Sequence, residues 1–575
     1  MAAVLDQIIP EAIDERTIPG VFFRQAHKSA DRVVFRHFCD GRWQPVTWAE
    51  MRESSVRVAC ALIKAGVQAG ERVILMAHNS LEWLICDIGI QTAGAVTVPV
   101  YANNPPDVSR KIAASSGAVL AIVGEGKPST AFEQTQTLRQ IVRLEDDVAA
   151  WLAQEPAADA VAEVARRTQS VGADDVNTII YTSGTTGEPK GVTLLHRNFV
   201  DMVHAYLEVF PIGPDDESLS FIPYAHIFER QAGIFTGMVA GSSAWLSRGM
   251  DRLADDLAEA RPTIMCSVPR MYEKVHERVL AGVEKLPAWK RALFNWAVRV
   301  GRSGKGGPQH WLAEKLVLAD LRRRLTGGRL RFFVSGGAPL ASEVESFFWA
   351  IGIKILQGYG LTETTAGATS NTPTEHRLGT VGKPFRGVEI KLAEDKEILV
   401  RGACVMQGYY GNEQATAEVF EDGWFKTGDI GELDADGFLT ITDRKKDLIK
   451  TAGGKYVAPQ PIERRLQLDR RIERAVLIGD QRPYIVALIV PAGDPAALAQ
   501  DDGFRAHVQK KIDEVNADLG QWETIKHFEL LPKDFDEESG ELTSTLKVKR
   551  RTVQEHYKEH IEAMYERGRA RKSSD

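Results

Sequence analysis

The chain has 575 residues, 44% apolar and 26% charged, with a formal net charge of −7. That length exceeds one hydrophobic core and implies two or more domains, while the composition excludes disordered and fibrous classes. The net acidity excludes a sequence-independent nucleic-acid binder, which needs a basic face to displace counterions.

The first residues lack the basic start and apolar stretch of a secretory leader, so the expected compartment is the cytoplasm. From residue 48 to about 100, a helical period over 49–65 alternates with short apolar runs, Val73-Ile-Leu-Met76 and Ala95-Val-Thr-Val-Pro-Val100. This alternation predicts an α/β layered domain with largely parallel strands. Five scattered cysteines without C-x-x-C spacing predict reduced thiols and no structural zinc. Residues 145–171, rich in Ala, Glu and Gln, read as surface helix. A basic and aromatic helical segment follows over 280–325, interrupted by a loop at Ser303-Gly-Lys-Gly-Gly-Pro308.

From Trp424 onward the texture changes to short strands and tight turns. Asp434-Ala-Asp-Gly437 predicts a hairpin, and it is no calcium loop because Leu439 and Thr440 fill later ligand positions. A compact α+β pattern then runs to about Lys549, giving expected domains 1–442 and 448–575 with 443–447 as linker. The apolar run Tyr484-Ile-Val-Ala-Leu-Ile-Val-Pro491 is far shorter than the roughly 20 residues that span a bilayer. If a membrane matters, the chain lies against its inner surface as a peripheral protein. Lys549, Arg550 and Arg551 read as a basic tail suited to acidic lipid.

The most informative stretch is Ile179-Ile-Tyr-Thr-Ser-Gly-Thr-Thr-Gly-Glu-Pro-Lys-Gly-Val192. Gly184 and Gly187 let backbone N–H groups turn toward an anion; Thr182, Ser183, Thr185 and Thr186 offer hydroxyls; and Lys190 adds charge. Such a loop suits a polyphosphate. It is not a Walker loop, because Pro189 stands where that spacing needs glycine and Gly191 follows the lysine.

This string resembles the phosphate loop of the adenylate-forming superfamily, which unites acyl-CoA synthetases, luciferases and peptide-synthetase adenylation domains. The superfamily's further motifs follow in order. Tyr224-Ala-His-Ile-Phe-Glu-Arg230 is similar to its aromatic/His motif, with His226 beside the acyl carboxylate. Val334-Ser-Gly-Gly-Ala-Pro-Leu340 supplies Gly336, Gly337 and Ala338 for close approach of a flat adenine. In Gln357-Gly-Tyr-Gly-Leu-Thr-Glu-Thr364, with Gly358 and Gly360, the resemblance implies that Tyr359 flanks adenine, Thr362 bonds the α-phosphate and Glu363 holds magnesium. Asp429 in Trp424-Phe-Lys-Thr-Gly-Asp429 would hold the ribose diol, with Arg444 as a second ribose contact. Lys547 matches the lysine that reaches the α-phosphate during adenylation. The pentapeptide 443–447, centred on Lys446, matches the hinge, and Gly453-Gly-Lys455 the loop that lines the coenzyme A channel.

Ser267-Val-Pro-Arg-Met-Tyr-Glu-Lys274, the basic insert and Gly454-Lys-Tyr-Val-Ala-Pro-Gln-Pro461 look like the long-chain acyl-CoA synthetase branch, although Ser544 stands where those relatives often carry proline. The resemblance thus implies a large N-terminal α/β domain with a small mobile α+β C-terminal domain. It also implies ATP, magnesium and coenzyme A acting on a fatty acid through an acyl-adenylate. The alternative is a fatty acyl-AMP ligase that hands its product to a carrier protein. Chain length and oligomeric state are open at this stage.

Overall fold

The computed structural model describes residues 8–572 apart from 133, 134, 136, 184–187, 538 and 543–547. Contacts divide the chain into a large unit, 1–391 with 399–427 and 434–439, and a small unit, 392–398 with 428–433 and 440–575.

Two sheets, of seven and nine strands, form the main layers of the large unit among the described residues. The first has seven strands in the order Gly408–Tyr409, Pro189–Leu195, Val176–Ser183, Val96–Val100, Arg72–Met76, Leu120–Val123 and Gln140–Arg143. The last five are mutually parallel, and the first two join antiparallel. Strand Val96–Val100 is buried throughout, as expected for parallel strands covered on both faces. Among the covering helices is Trp48–Lys64, started by a capping box in which Thr47 Oγ1 accepts from Glu50 N and Glu50 Oε2 accepts from Thr47 N. Helix Leu81–Thr92 is buried all round, which makes its Asp87 and Gln91 conspicuous. The helical stretch expected over 145–171 breaks before Pro156: Ala149–Ala153 ends there and Ala158–Ser170 restarts, with Val161, Val164 and Thr168 buried on one face.

The second sheet has nine strands: Lys383–Pro384, Thr369–Ser370, Ile355–Tyr359, Phe332–Ser335, Ile264–Ser267, Glu217–Ser220, Ser243–Leu246, Val33–Cys39 and Arg42–Thr47. The six from Ile355–Tyr359 to Val33–Cys39 are parallel, so their carboxyl ends open on one edge. In open α/β sheets that edge is where ligands bind.

In the small unit, Ile485–Pro491 lies at the centre of a three-stranded sheet, antiparallel to Ile472–Ile478 and parallel to Ile525–Leu530. All seven of its residues are buried, because the period of two feeds two cores. Ile485, Ala487 and Ile489 pack with Ile462, Leu466, Val508 and Ile512, whereas Val486, Leu488 and Val490 pack with Val553, Tyr557, Ile561 and Met564. The folded pattern therefore continues past Lys549 through helices Arg550–His556 and Lys558–Lys572. Arg550 is accordingly no lipid-facing tail residue. Its guanidinium grips Glu463 at 2.6 and 3.0 Å and donates to Leu477 O at 2.7 Å. Among the described residues no helix is long and apolar enough to cross a membrane.

Candidate active site

In the large unit, strands Val176–Ser183 and Pro189–Leu195 pair with Thr182 opposite Lys190 and Ser183 opposite Pro189. The residues that join these two strands belong to the expected phosphate loop. Gly184, Thr185, Thr186 and Gly187 lie outside the described residues. Gly191 is fixed by packing, since a Cβ there would sit 2.8 Å from Ile179 Cγ2 and 2.9 Å from the Tyr181 ring.

Lys190 Nζ stands 5.0 Å from the ring centroid of Tyr409, whose hydroxyl donates to Glu363 Oε1 at 3.0 Å. Tyr409 thus links the phosphate-loop lysine to the expected magnesium carboxylate. Burial, reinforced by the neighbouring Glu363, raises the Tyr409 pKa and keeps the phenol a proton donor. Sequence reasoning missed this residue. Strand Gly408–Tyr409 is two residues long and pairs with a strand over 200 positions earlier, Tyr409 opposite Val192. The one local cue, an aromatic pair between glycines in Gly408-Tyr-Tyr-Gly411, is too common to single it out.

Glu363 and Thr362 sit in a single 3₁₀ turn, Thr362–Thr364, after strand Ile355–Tyr359. The turn is over-determined: Thr365 and Ala366 both hold positive φ, 47° and 67°. Thr365 Oγ1 donates to Cys404 O at 2.7 Å, and Met406 N donates to Glu363 O at 2.9 Å. Non-glycine residues in that region cost on the order of 1–3 kcal/mol each and persist only where the surroundings enforce them. Gly360 belongs to the same knot, because a Cβ there would lie 2.3 Å from Ala366 O. Tyr359 is buried at the end of its strand with Thr369 opposite, and Gly358 faces Ser370.

Gly336 and Gly337 follow the carboxyl end of the neighbouring strand Phe332–Ser335. Gly337 is exposed with φ of 82° and open space around its missing side chain, and Ala338 is also exposed. Gly336 lies over Phe228, whose ring would be 3.1 Å from an added Cβ, so the glycine pair and the His226 motif are in contact. His226 itself is half-buried, 6.4 Å centroid to centroid from Tyr101. Its Nδ1 accepts from Phe228 N at 3.1 Å, which places the proton of the neutral ring on Nε2 as a donor. The loop before it is pinned by Asn79, which accepts from Tyr224 N and donates to Ile222 O.

The last two residues of this motif point inward. Arg230 is 1% exposed and holds Asp87 with Nε and Nη2 at 2.8 and 2.6 Å, while Nη1 donates to Thr178 Oγ1 at 2.7 Å on the strand that enters the phosphate loop. Gln91 Nε2 donates to the same carboxylate at 3.0 Å, and Asn177 Nδ2 donates to Gln91 Oε1 at 2.6 Å. Glu229 is also buried. Ser220 Oγ donates to its Oε1, Oε2 has no hydrogen-bond partner among the described residues, and burial pushes its carboxyl up to about 8.

In the small unit, Asp429 is buried and pairs with Arg444, Nε to Oδ1 3.2 Å. Arg444 is therefore not a freely solvated charge. Glu397 accepts from Gly428 N at 2.9 Å and, together with Asp395, from Lys445 Nζ at 2.7 and 2.6 Å. Lys446 beside it is exposed. Burial pushes Asp443 up to about 6, opposed by donation from the Arg444 and Gln460 amides. Gly453, Gly454 and Lys455 form the exposed tip of a hairpin between Ile449–Lys450 and Tyr456–Val457, with Gly454 at φ 75°. Lys455 Nζ lies 5.4 Å from the Trp522 ring. Lys547 lies outside the described residues; the flanking Leu542 and Val548 are bridged antiparallel.

Two paired strands flanking the expected phosphate loop, a glycine pair at a parallel sheet's carboxyl edge and a separate small α+β unit are the arrangement expected of a nucleotide-using enzyme class. Residues 22–410 match the model of the AMP-binding enzyme family and 446–569 that of the AMP-binding enzyme C-terminal domain, and the chain belongs to this family. It is 36% identical to Long-chain-fatty-acid–CoA ligase FadD15 of Mycobacterium bovis, over 95% of this chain and 97% of that protein. It is 31% identical to Long chain acyl-CoA synthetase 1 of Arabidopsis thaliana, covering 95% and 92%. Among solved structures, a Mycobacterium tuberculosis fatty acyl CoA synthetase superposes with a TM-score of 0.65 at 21% identity, covering 95% of this chain and 99% of that one. That last likeness shows the fold alone.

Proposed function

We propose that the protein activates a long-chain fatty acid with ATP to acyl-AMP and transfers the acyl group to coenzyme A, releasing AMP and pyrophosphate. The observation that carries this reading is that near full-length relatives named as fatty-acid–CoA ligases accompany a site in which Lys190, Tyr409 and Glu363 are joined. Those names do not favour the fatty acyl-AMP ligase alternative.

The chemistry follows from charge. A fatty carboxylate must attack the α-phosphorus of ATP, so two anions meet and the crowded transition state needs preorganised donors. Residues 182–187 with Lys190 would cradle the phosphates, and Thr362 would bond the α-phosphate. Gly336, Gly337, Ala338 and Tyr359 would receive the adenine, and Asp429 with Arg444 the ribose. Glu363 and the Thr362 hydroxyl offer the hard oxygen donors that magnesium prefers, with Tyr409 holding the carboxylate in place. Magnesium, when bound, neutralises phosphate charge. His226, donating from Nε2, would orient the fatty carboxylate. Lys547 would contact the α-phosphate during adenylation. We assign the domains as 1–442 and 448–575, with 443–447 as a hinge centred on Lys446. Turning there would withdraw Lys547 and bring Gly453, Gly454 and Lys455 to the acyl-adenylate. The coenzyme A thiolate then attacks the acyl carbon, and AMP leaves with the anhydride bond pair.

Five free cysteines support a reducing, cytoplasmic setting, with membrane attachment peripheral at the inner surface. Pyrophosphate release measured across fatty acids from short to very long tests the reading. A maximum among long-chain acids supports it, and release that peaks with acetate or an aromatic acid refutes it.

A further inference from the structure

Residues 285–324 carry ten Lys or Arg against two Asp or Glu, a local excess of eight positive charges in a chain of net −7. They form helix Ala288–Arg302, a short glycine-rich loop, helix Pro308–Ala313, the π-helical turn Glu314–Leu318 and helix Ala319–Thr326. The inward face of the first helix is committed. Phe294, Ala297 and Val298 are buried, and Gly301 packs so closely on helix Ser342–Ala350 that a Cβ would lie 1.9 Å from Ala350 O.

The outward face has no partner among the described residues. Trp289 is 65% exposed and Trp311 61%, and Trp311, Leu312, Lys315 and Leu316 form one exposed stripe at helical spacing. Each indole is flanked by an ammonium, Lys290 Nζ 5.4 Å from the Trp289 centroid and Lys315 Nζ 5.1 Å from that of Trp311. The acidic residues of the segment are already taken, Glu314 by Arg322 and Asp320 by Arg323 and Arg324. Lys290, Lys305 and Lys315 have no carboxylate partner among the described residues.

We propose that this face docks on an anionic lipid bilayer, with Trp289 and Trp311 at the headgroup level and the lysines on lipid phosphates. Indoles prefer the polar–apolar boundary, and apolar stripes rimmed by Lys and Arg lie in the interface plane of acidic membranes. Negative headgroups also complement the local charge. The proposal rests on the peripheral-attachment reading and is independent of the ligase chemistry. It gives a water-insoluble substrate a short path to the enzyme.

The test is co-sedimentation of the full chain with vesicles of phosphatidylcholine alone and of phosphatidylcholine mixed with phosphatidylglycerol. Binding is expected only to the second. Replacing Lys290, Lys305 and Lys315 by Gln weakens it roughly 100-fold, from about 5-fold per cation near the surface. The pair Trp289→Ala and Trp311→Ala also releases the protein, while pyrophosphate release with a water-soluble fatty acid stays at the parent rate in all variants. Equal binding to both vesicles, binding to neither, or variants that bind like the parent would overturn the proposal. So would a dimer in light scattering that these substitutions dissociate while vesicle binding persists.

Discussion

Replacing Arg230 by Met isolates the buried charge that braces strand Val176–Ser183. In the parent, three guanidinium nitrogens are satisfied by Asp87 and Thr178, with both members of the pair no more than 2% exposed. The substitution leaves the Asp87 carboxylate buried with Gln91 as its one remaining side-chain donor among the described residues, and frees the Thr178 hydroxyl from one partner. Breaking one side of a buried pair costs about 3–5 kcal/mol. For a unit of roughly 400 residues the unfolding entropy is about 0.8–0.9 kcal/mol per degree, so Tm should fall by about 3–6 °C. Scanning calorimetry of the large-unit transition reads this directly. The double variant Asp87→Leu, Arg230→Met removes both charges and should recover most of the loss, because well-packed apolar replacements of a buried pair are often neutral. A single variant that melts within a degree of the parent, or a double variant that melts as low as the single, would refute the reasoning.

Three further outcomes are expected. Lys547→Ala slows adenylation at least roughly 100-fold, the scale for one preorganised transition-state contact, while thioester formation from supplied acyl-AMP survives; equal loss of both steps in single-turnover assays counts against the assignment. Tyr409→Phe removes one hydrogen bond to a charged carboxylate, worth about 1.5–3 kcal/mol, and should lower kcat/KM for ATP by about 10- to 100-fold with a raised magnesium requirement; an unchanged magnesium titration contradicts the link to Glu363. Glu229, raised by burial from about 4.5 to about 8, binds its proton more tightly folded than unfolded, so its contribution to stability is present at low pH and is lost as pH rises from about 4.5 through 8. The Tm of Glu229→Gln relative to the parent should therefore climb between pH 5.5 and 8.5, and a pH-independent difference would sink that account.

What could be read before folding was whatever the chain keeps local. The expected phosphate loop, the His226 motif, the 357–364 string and the Gly453-Gly454 stretch are each contiguous strings, so their resemblance to a family's motifs is visible in the sequence alone. The short apolar runs near Val73 and Val96 became parallel strands for the same reason. What stayed hidden was long-range pairing. Tyr409 reaches Glu363 from a two-residue strand, Arg230 finds Asp87 across 143 positions, and Arg550 finds Glu463 across 87. In sequence, an arginine committed to a buried carboxylate looks the same as one bound for solvent, which is why Arg550 read as part of a basic tail. The C-terminal helices were under-read because the opposite face of Ile485–Pro491 also needs a cover, and period-two burial reveals that need only when both cores are seen.

The central claim is that one protein performs two reactions in sequence on one carboxylic acid. Rapid-quench measurement with magnesium, ATP and a long-chain fatty acid tests it most directly. Without coenzyme A the account predicts a burst of pyrophosphate equal to the enzyme present, with acyl-AMP retained. Adding coenzyme A should then release AMP and acyl-CoA in equal amounts and restore turnover. Absence of the pyrophosphate burst, or AMP release that coenzyme A does not accelerate, would contradict it.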